Sequence, residues 1–133
     1  MKKIVVASVI ANKHRSAGAI WTSLSWTLGF RALGFDAYHV EQIAPESCVD
    51  AAGNSCSFEA SANVPAFDRA IRAFGLQDKA ALICGSGENT RGLGWSELLR
   101  LADEAEAIIN ISGHLEAQPL LERFRGEDDL SQP

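Results

Sequence analysis

The stretch Lys3-Ile4-Val5-Val6-Ala7-Ser8, near the start of the chain, is a compact apolar run typical of a β-strand. Its apolar side chains fall on both faces, as in a central parallel strand that is covered by helices on each side. Two lysines precede the run, so a signal peptide is the alternative interpretation. The apolar run at residues 4–11 is short for a signal peptide and rich in β-branched residues, which favours a buried first strand.

Helical and strand patterns alternate outward from this first strand. A repeat of Ile20, Leu24 and Leu28 predicts a helix over residues 17–33, and Gly34 is placed to end it. The remaining predicted elements are a strand at 36–40, a long loop at 42–62, a helix from about Pro65 to Gly75, a strand at 79–84, a glycine-rich turn at 85–92, a helix at 95–104, a strand at 107–111 and a short helix at 119–124.

This alternation predicts an α/β fold, a three-layer Rossmann-like domain whose four strands are parallel and joined by right-handed crossovers. We expect the spatial order 2-1-3-4, which would open a crevice at the carboxyl ends of the first and third strands. The domain is expected to span residues 1–125, and residues 126–133 form an acidic tail that we expect to be flexible.

Composition excludes several classes of protein. A net charge of −5 over 133 residues argues against a nucleic-acid binder, which needs a basic surface. No apolar run approaches the roughly 20 residues that cross a bilayer. Three cysteines without a CxxC pair indicate a reducing compartment, so a cytoplasmic location is expected. A local disulfide between Cys48 and Cys56 is an alternative, although free thiols are favoured.

The first candidate binding site is the loop that follows the first strand. His14 and Arg15 offer hydrogen-bond donors, and Ala17 and Gly18 open a helix whose free N–H groups attract phosphate or carboxylate. Neither GxGxxG nor a phosphate-loop motif is present, which argues against an ordinary dinucleotide or nucleoside-triphosphate site. The alternative is that Gly18 relieves helix packing and that His14 and Arg15 form a solvated tip.

Two further candidates follow the second and third strands. Gly85 suits a tight turn beside the polar groups of Ser86 and Thr90, although a flexible strand-to-helix connector is the slightly favoured interpretation. Glu41 follows the second strand, with His39 two residues before it. Acidic residues there often bind a ribose in dinucleotide folds, and the alternatives are a loop anchor or a surface charge.

The last candidate is Ser112-Gly113-His114, directly after the fourth strand. A histidine at such a place is a candidate base near neutral pH, so His114 is the one catalytic candidate, with Ser112 and Gly113 as ligand contacts. The alternative is a histidine that caps a neighbouring backbone group. The three histidines are too dispersed for a zinc motif, and we expect no metal and no resident cofactor.

Three segments carry a resemblance to a known family: SAGAIW at residues 16–21, LGFRALGFDAYHVE at 28–41 and AIINISGHL at 107–115. Together they resemble the amino-terminal domain of bacterial glycosyltransferase-like proteins of GT-B architecture. The resemblance implies two Rossmann-like domains facing a cleft, with a nucleotide-sugar as substrate. By the same resemblance Ala17 and Gly18 would lie nearest the donor, and the Gly85–Thr90 loop and His114 would border the acceptor.

Relative to that family, the chain is expected to be a truncated, acceptor-side domain that needs a donor-binding second domain for transferase activity. The fourth strand would then form an open edge that pairs with a partner domain or with a second copy in a homodimer. Two alternatives remain open. One is a stand-alone Rossmann-like or flavodoxin-like module that binds a small anion or nucleotide, and the other is a non-catalytic homodimeric assembly protein.

Overall fold

The computed structural model describes residues 2–8, 17–85, 87, 89–110 and 128–129. Its elements alternate between strands and helices, as the sequence predicts. They are β1 (Lys3–Ala7), α1 (Ala17–Ala32), β2 (Asp36–Ile43), a short 3₁₀ helix (Pro45–Ser47), α2 (Asn63–Ala73), β3 (Ala80–Cys84), β4 (Asn89–Gly92), α3 (Trp95–Glu104), β5 (Ala107–Asn110) and β6 (Asp128–Asp129). The short helix expected at 119–124 and the end of the strand expected at 111 lie outside the described residues.

The described strands form a sheet in the order β4-β3-β2-β1-β5-β6. The four strands predicted from sequence, β1, β2, β3 and β5, are all parallel, as expected. The predicted order 2-1-3-4 is wrong in one placement. β3 pairs with β2 instead of β1, and β5 takes the place beside β1. The four predicted strands therefore follow the order 3-2-1-4.

Helices cover both faces of the sheet, and the positions of the helices explain the strand order. α1 and α2 pack on one face through Leu24 and Phe67, and α3 packs on the other through Leu98. Two crossovers on one face carry the chain from β1 to β2 and on to β3. Because such crossovers are right-handed, the return through α3 on the opposite face places β5 on the far side of β1.

Two strands were not predicted. β4 runs antiparallel to β3 as a hairpin partner, so the segment expected to be a simple glycine-rich turn forms one edge of the sheet. β6 lies in the segment expected to be a flexible tail, and it pairs with Ala107 and Ile108 of β5. The expectation of an open edge along β5 is thus wrong for those two residues. Within the described residues, no helix combines the length and apolar character needed to cross a bilayer.

The long loop predicted after β2 is a packed part of the core. Cys48 is fully buried and Phe58 is 8% exposed, and both join the cluster beneath α2. The amide of Asn63 accepts a hydrogen bond from the Val49 N–H at 3.0 Å, and the Val49 carbonyl accepts one from the Ala62 N–H at 2.8 Å. These bonds fasten the loop to the start of α2, so the aperiodic sequence still gives a defined structure.

A charged cluster joins the first residue of β2 to the residue that directly precedes β3. The Lys79 ammonium donates to Asp36 Oδ1 at 2.8 Å and to the Tyr38 hydroxyl at 3.2 Å. Burial raises the pKa of Asp36, but the hydrogen bonds from Lys79 and Tyr38 outweigh burial and bring that pKa below its ordinary value. The hydrogen bond to Asp36 likewise raises the pKa of Lys79.

We expect Asp36→Asn to lower the free energy of unfolding by about 1 kcal/mol at pH 7, because a partly buried, charge-assisted hydrogen bond is lost. A carboxyl whose pKa is lowered by folding contributes above its unfolded pKa, near 4, and the contribution disappears as the pH falls through the folded pKa. The contribution of Lys79 to stability disappears at high pH, as the pH rises through the raised pKa of Lys79. The difference between variant and parent should therefore span roughly pH 4 to 10.

Urea unfolding across this range measures the difference. Glu104→Gln is the matched control, because it removes an exposed ion pair with Lys3 on the same sheet and should change stability little. An equal loss in both variants, or an Asp36→Asn deficit that persists at pH 2, would contradict the assignment.

Candidate functional site

The sheet changes its direction of growth between β1 and β5, and ligands of open α/β sheets bind outside the carboxyl ends of the strands at such a point. Ser8 leaves the end of β1, and Asn110 ends β5 as the register partner of Ala7. Both side chains are buried, at 3% and 4% exposure. The point at which the general rule expects a ligand crevice therefore lies between β1 and β5. The expectation of a crevice between the first and third strands is wrong, because β2 separates them.

Ser8 meets a histidine on the neighbouring strand. In the parallel register of β1 and β2, Val6 pairs with His39, so the Ser8 side chain emerges one step further along the same face. The Ser8 hydroxyl oxygen lies 3.5 Å from His39 Nδ1. This distance is longer than the usual 2.7–3.2 Å, so the pair lies at the outer limit of a hydrogen bond.

The other ring nitrogen of His39 faces a carboxylate. Nε2 lies 3.5 Å from Glu41 Oε1, and both side chains are fully buried. This separation falls within ion-pair range, but Nε2 makes no hydrogen bond in the part of the chain that the structure describes. Phe67 of α2 packs at 6.2 Å between ring centroids and limits movement of the imidazole. The three polar groups therefore form a buried row in the order serine, imidazole, carboxylate.

The predicted site residues fall into three groups: those at the start of α1, those outside the described residues, and those in or beside β2, β3 and β4. Ala17 and Gly18 are the first two residues of α1, so they do open a helix that follows the β1 connection. Six others lie outside the described residues: His14, Arg15, Ser86, Ser112, Gly113 and His114.

Gly85 and Thr90 belong to the β3–β4 hairpin. The Gly85 N–H donates to the Ile43 carbonyl at 3.0 Å, and the Gly85 carbonyl accepts from the Gln42 amide at 2.7 Å. Thr90 pairs with Ile83 in the antiparallel ladder. The hairpin ends two strands away from β1, about 10 Å at the usual strand spacing. The connector interpretation therefore fits Gly85 and Thr90 better than a place at the β1–β5 crevice.

Glu41 lies within β2, which continues to Ile43, and not after it as predicted. The Glu41 residue is 1% exposed, so the alternative of a surface charge is wrong. Its carboxylate faces the core beside His39 on the side covered by α1 and α2. Ser8 was not singled out as a site residue, although a small polar residue that ends an apolar strand was a visible cue. Its pairing with His39 needed the register between two strands 31 residues apart.

The cysteines do not contribute to this row. Cys48, Cys56 and Cys84 all lie within the described residues and are free thiols. Burial, together with the neighbouring Cys84, raises the pKa of Cys48 to about 11, so its thiol stays protonated and unreactive near neutral pH. Among the described residues, no group of three or more histidine, cysteine or acidic side chains could hold a metal ion.

No protein-family model, no curated protein and no solved structure matches this chain.

Proposed function

We propose that this chain is a Rossmann-like domain that binds a phosphate-bearing small molecule in the crevice between the carboxyl ends of β1 and β5. The observation that carries the proposal is the reversal of sheet growth at these two strands. A reversal separates the loops that leave neighbouring strands, because they cross to opposite faces of the sheet, and this opens a space at the strand ends. Ser8 and Asn110 are buried polar residues at the carboxyl ends of these two strands.

The start of α1 supports an anionic ligand. α1 follows the connection that leaves β1, and its first turn carries no acidic residue that would compete for its N–H groups. The sequence places His14 and Arg15 in the same connection, and both can donate to an anion. Phosphate and carboxylate groups are the chemistry that this combination favours.

A nucleotide-sugar is the finer proposal. It is supported by the resemblance of residues 16–21, 28–41 and 107–115 to the acceptor-side domain of glycosyltransferase-like proteins of GT-B architecture. On this proposal the chain contributes one wall of a cleft, and transfer requires a donor-binding second domain. A stand-alone small-anion module uses the same crevice without a second domain. The covered part of the β5 edge makes a non-catalytic homodimer through that edge the weaker candidate.

We expect Gly18→Asp to weaken binding of the anion roughly tenfold or more, because it places a negative charge in the first turn of α1. Gly18→Asn is the matched control, since it has nearly the same size without the charge. Both side chains suit a helix start, so both variants should fold. Isothermal titration calorimetry with inorganic phosphate and with uridine-, guanosine- and adenosine-diphosphate sugars measures the effect.

The panel of ligands also separates the finer proposal from the coarser one. Saturable binding of one nucleotide-sugar at micromolar concentration, with much weaker binding of phosphate alone, supports the glycosyltransferase-like function. Binding of phosphate and nucleotides alike supports the small-anion module. Equal affinity in Gly18→Asp and Gly18→Asn, or no binding by the unmodified chain, would overturn the crevice as a phosphate site.

A further inference from the structure

We propose that Ser8, His39 and Glu41 form a nucleophilic site for acyl transfer, in which the Ser8 hydroxyl attacks a small carboxylic ester. The three groups stand in the order nucleophile, base and orienting carboxylate, the arrangement that activates a serine on several unrelated folds. This activity goes beyond phosphate binding in the crevice and does not depend on it.

The tautomer of His39 follows from its two neighbours. The Glu41 carboxylate favours a proton on Nε2, the nitrogen 3.5 Å from its oxygen. Nδ1 then carries the lone pair that faces the Ser8 hydroxyl, also at 3.5 Å. Both separations are about half an ångström longer than good hydrogen bonds, which is common for catalytic groups before a substrate is bound.

Fold stability does not account for this row. Burying an imidazole and a carboxylate costs desolvation free energy, and apolar residues of similar size are often neutral or stabilising in such positions. His39 Nε2 also makes no hydrogen bond among the described residues, so this buried nitrogen lacks the partner that a buried polar atom normally has. Ionisable groups held at this cost within a central strand, beside the end of a neighbouring strand, are typical of functional sites.

The position of Ser8 gives the substrate class. Ser8 follows β1 directly, at the strand where sheet growth reverses, and it is only 3% exposed, so a bulky substrate could not reach its hydroxyl. A small ester is therefore favoured over a polymer. The amino-terminal end of α1 follows the same connection, and the first N–H groups of a helix have no partner within the helix, which suits the oxyanion that an ester carbonyl develops.

In the first step the Ser8 oxygen forms a bond to the ester carbonyl carbon while its proton moves to His39 Nδ1. The tetrahedral intermediate then breaks its bond to the alkoxy oxygen, which leaves as the alcohol after taking the proton from Nδ1. In the second step water attacks the acyl-serine, gives one proton to Nδ1, and releases the carboxylic acid as that proton returns to the Ser8 oxygen. Glu41 stabilises the imidazolium throughout without taking its proton.

Covalent labelling by diisopropyl fluorophosphate tests the site. The Ser8 oxygen displaces fluoride from phosphorus, and intact-mass and peptide spectra of the full chain should show one diisopropylphosphoryl group on Ser8. Ser8→Ala should abolish labelling. Ser61→Ala is the matched control, because Ser61 is also buried but its hydroxyl donates to the Phe58 carbonyl at 2.7 Å. This control should label as the parent does.

The roles of the other two residues have separate readouts. His39→Gln should slow labelling roughly 100-fold or more, and Glu41→Gln should slow it less, since it removes only the charge that orients the ring. Nitrogen-15 spectra of the unmodified protein report the tautomer without any substitution, and we expect the Nε2-protonated form. An unlabelled Ser8, labelling unchanged in His39→Gln, or an Nδ1-protonated imidazole would overturn the proposal.

Discussion

Replacing Gly92 with alanine should lower the free energy of unfolding by about 3 kcal/mol or more. Gly92 ends β4 with a φ of +88°, a conformation that costs a residue with a side chain about 1–2 kcal/mol. A Cβ at this place would also collide with the carbonyl oxygen of Ala80, which is backbone and cannot move aside. That oxygen accepts a hydrogen bond from the Leu93 N–H at 3.0 Å, so a shift breaks the bond and adds an overpacking cost.

Gly34→Ala is the control that separates the two costs. Gly34 has a φ of +97°, but a Cβ there would meet nothing within 4 Å. It should therefore lose only the conformational part, and the difference between the two variants measures the collision with Ala80. Gly29→Ala serves as a second control, because Gly29 lies within α1 with open space around it, and alanine should stabilise the helix. Equal losses in Gly92→Ala and Gly34→Ala by chemical denaturation would show that β4 does not pack on β3 as described.

The sequence was sufficient to predict the four parallel strands but not their order. Burial on both faces predicts a central strand for each apolar run, and right-handed crossovers follow from the alternation with helices. The orders 2-1-3-4 and 3-2-1-4 both satisfy these rules. The choice between the two strand orders depends on whether α2 packs on the same face of the sheet as α1. That packing depends on long-range contacts, such as those that bring Leu24 of α1 and Phe67 of α2 into one cluster. These two residues are 43 positions apart, so no local pattern reports their contact.

β4 illustrates a different limit. Its sequence, Asn89-Thr90-Arg91-Gly92, has none of the apolar alternation that predicts a strand. The strand forms because β3 offers a free edge beside it and because Arg91 makes a bidentate ion pair with Asp68 of α2, with its closest contact at 2.7 Å. Tertiary contacts therefore outweigh local propensity at this edge.

The sequence predicts that a ligand site lies at the carboxyl ends of the strands, but it does not predict which strands and residues form that site. The rule that ligands bind at carboxyl ends of strands holds for any parallel sheet, and it directed attention to Gly18, Gly85 and Glu41. Placing β3 beside β2 moves Gly85 away from the crevice, and burial turns Glu41 inward. The row that includes Ser8 depends on the register of β1 against β2, in which Val6 pairs with His39. Register across a crossover is set by packing, and the sequence carries no direct record of it.

Replacing His39 with leucine should lower the free energy of unfolding by about 3–5 kcal/mol, because the buried Glu41 carboxylate loses the imidazole N–H that faces it. Replacing both residues, His39→Leu with Glu41→Met, should restore stability to within about 1 kcal/mol of the parent, since the carboxylate and the imidazole are then both replaced by apolar groups. Guanidinium unfolding of the two single variants and the double variant gives the coupling free energy between the side chains.

Thr27→Val is the matched control for this cycle. The Thr27 hydroxyl is buried on α1 and makes no hydrogen bond within the described residues, so its removal should be neutral or stabilising. If His39→Leu costs no more than the double replacement, the two side chains are uncoupled and the row has no electrostatic basis. The other outcome is a double variant that is stable and yet no longer reacts with diisopropyl fluorophosphate. That result would show that the His39–Glu41 pair serves the reactivity of Ser8 and not the stability of the fold.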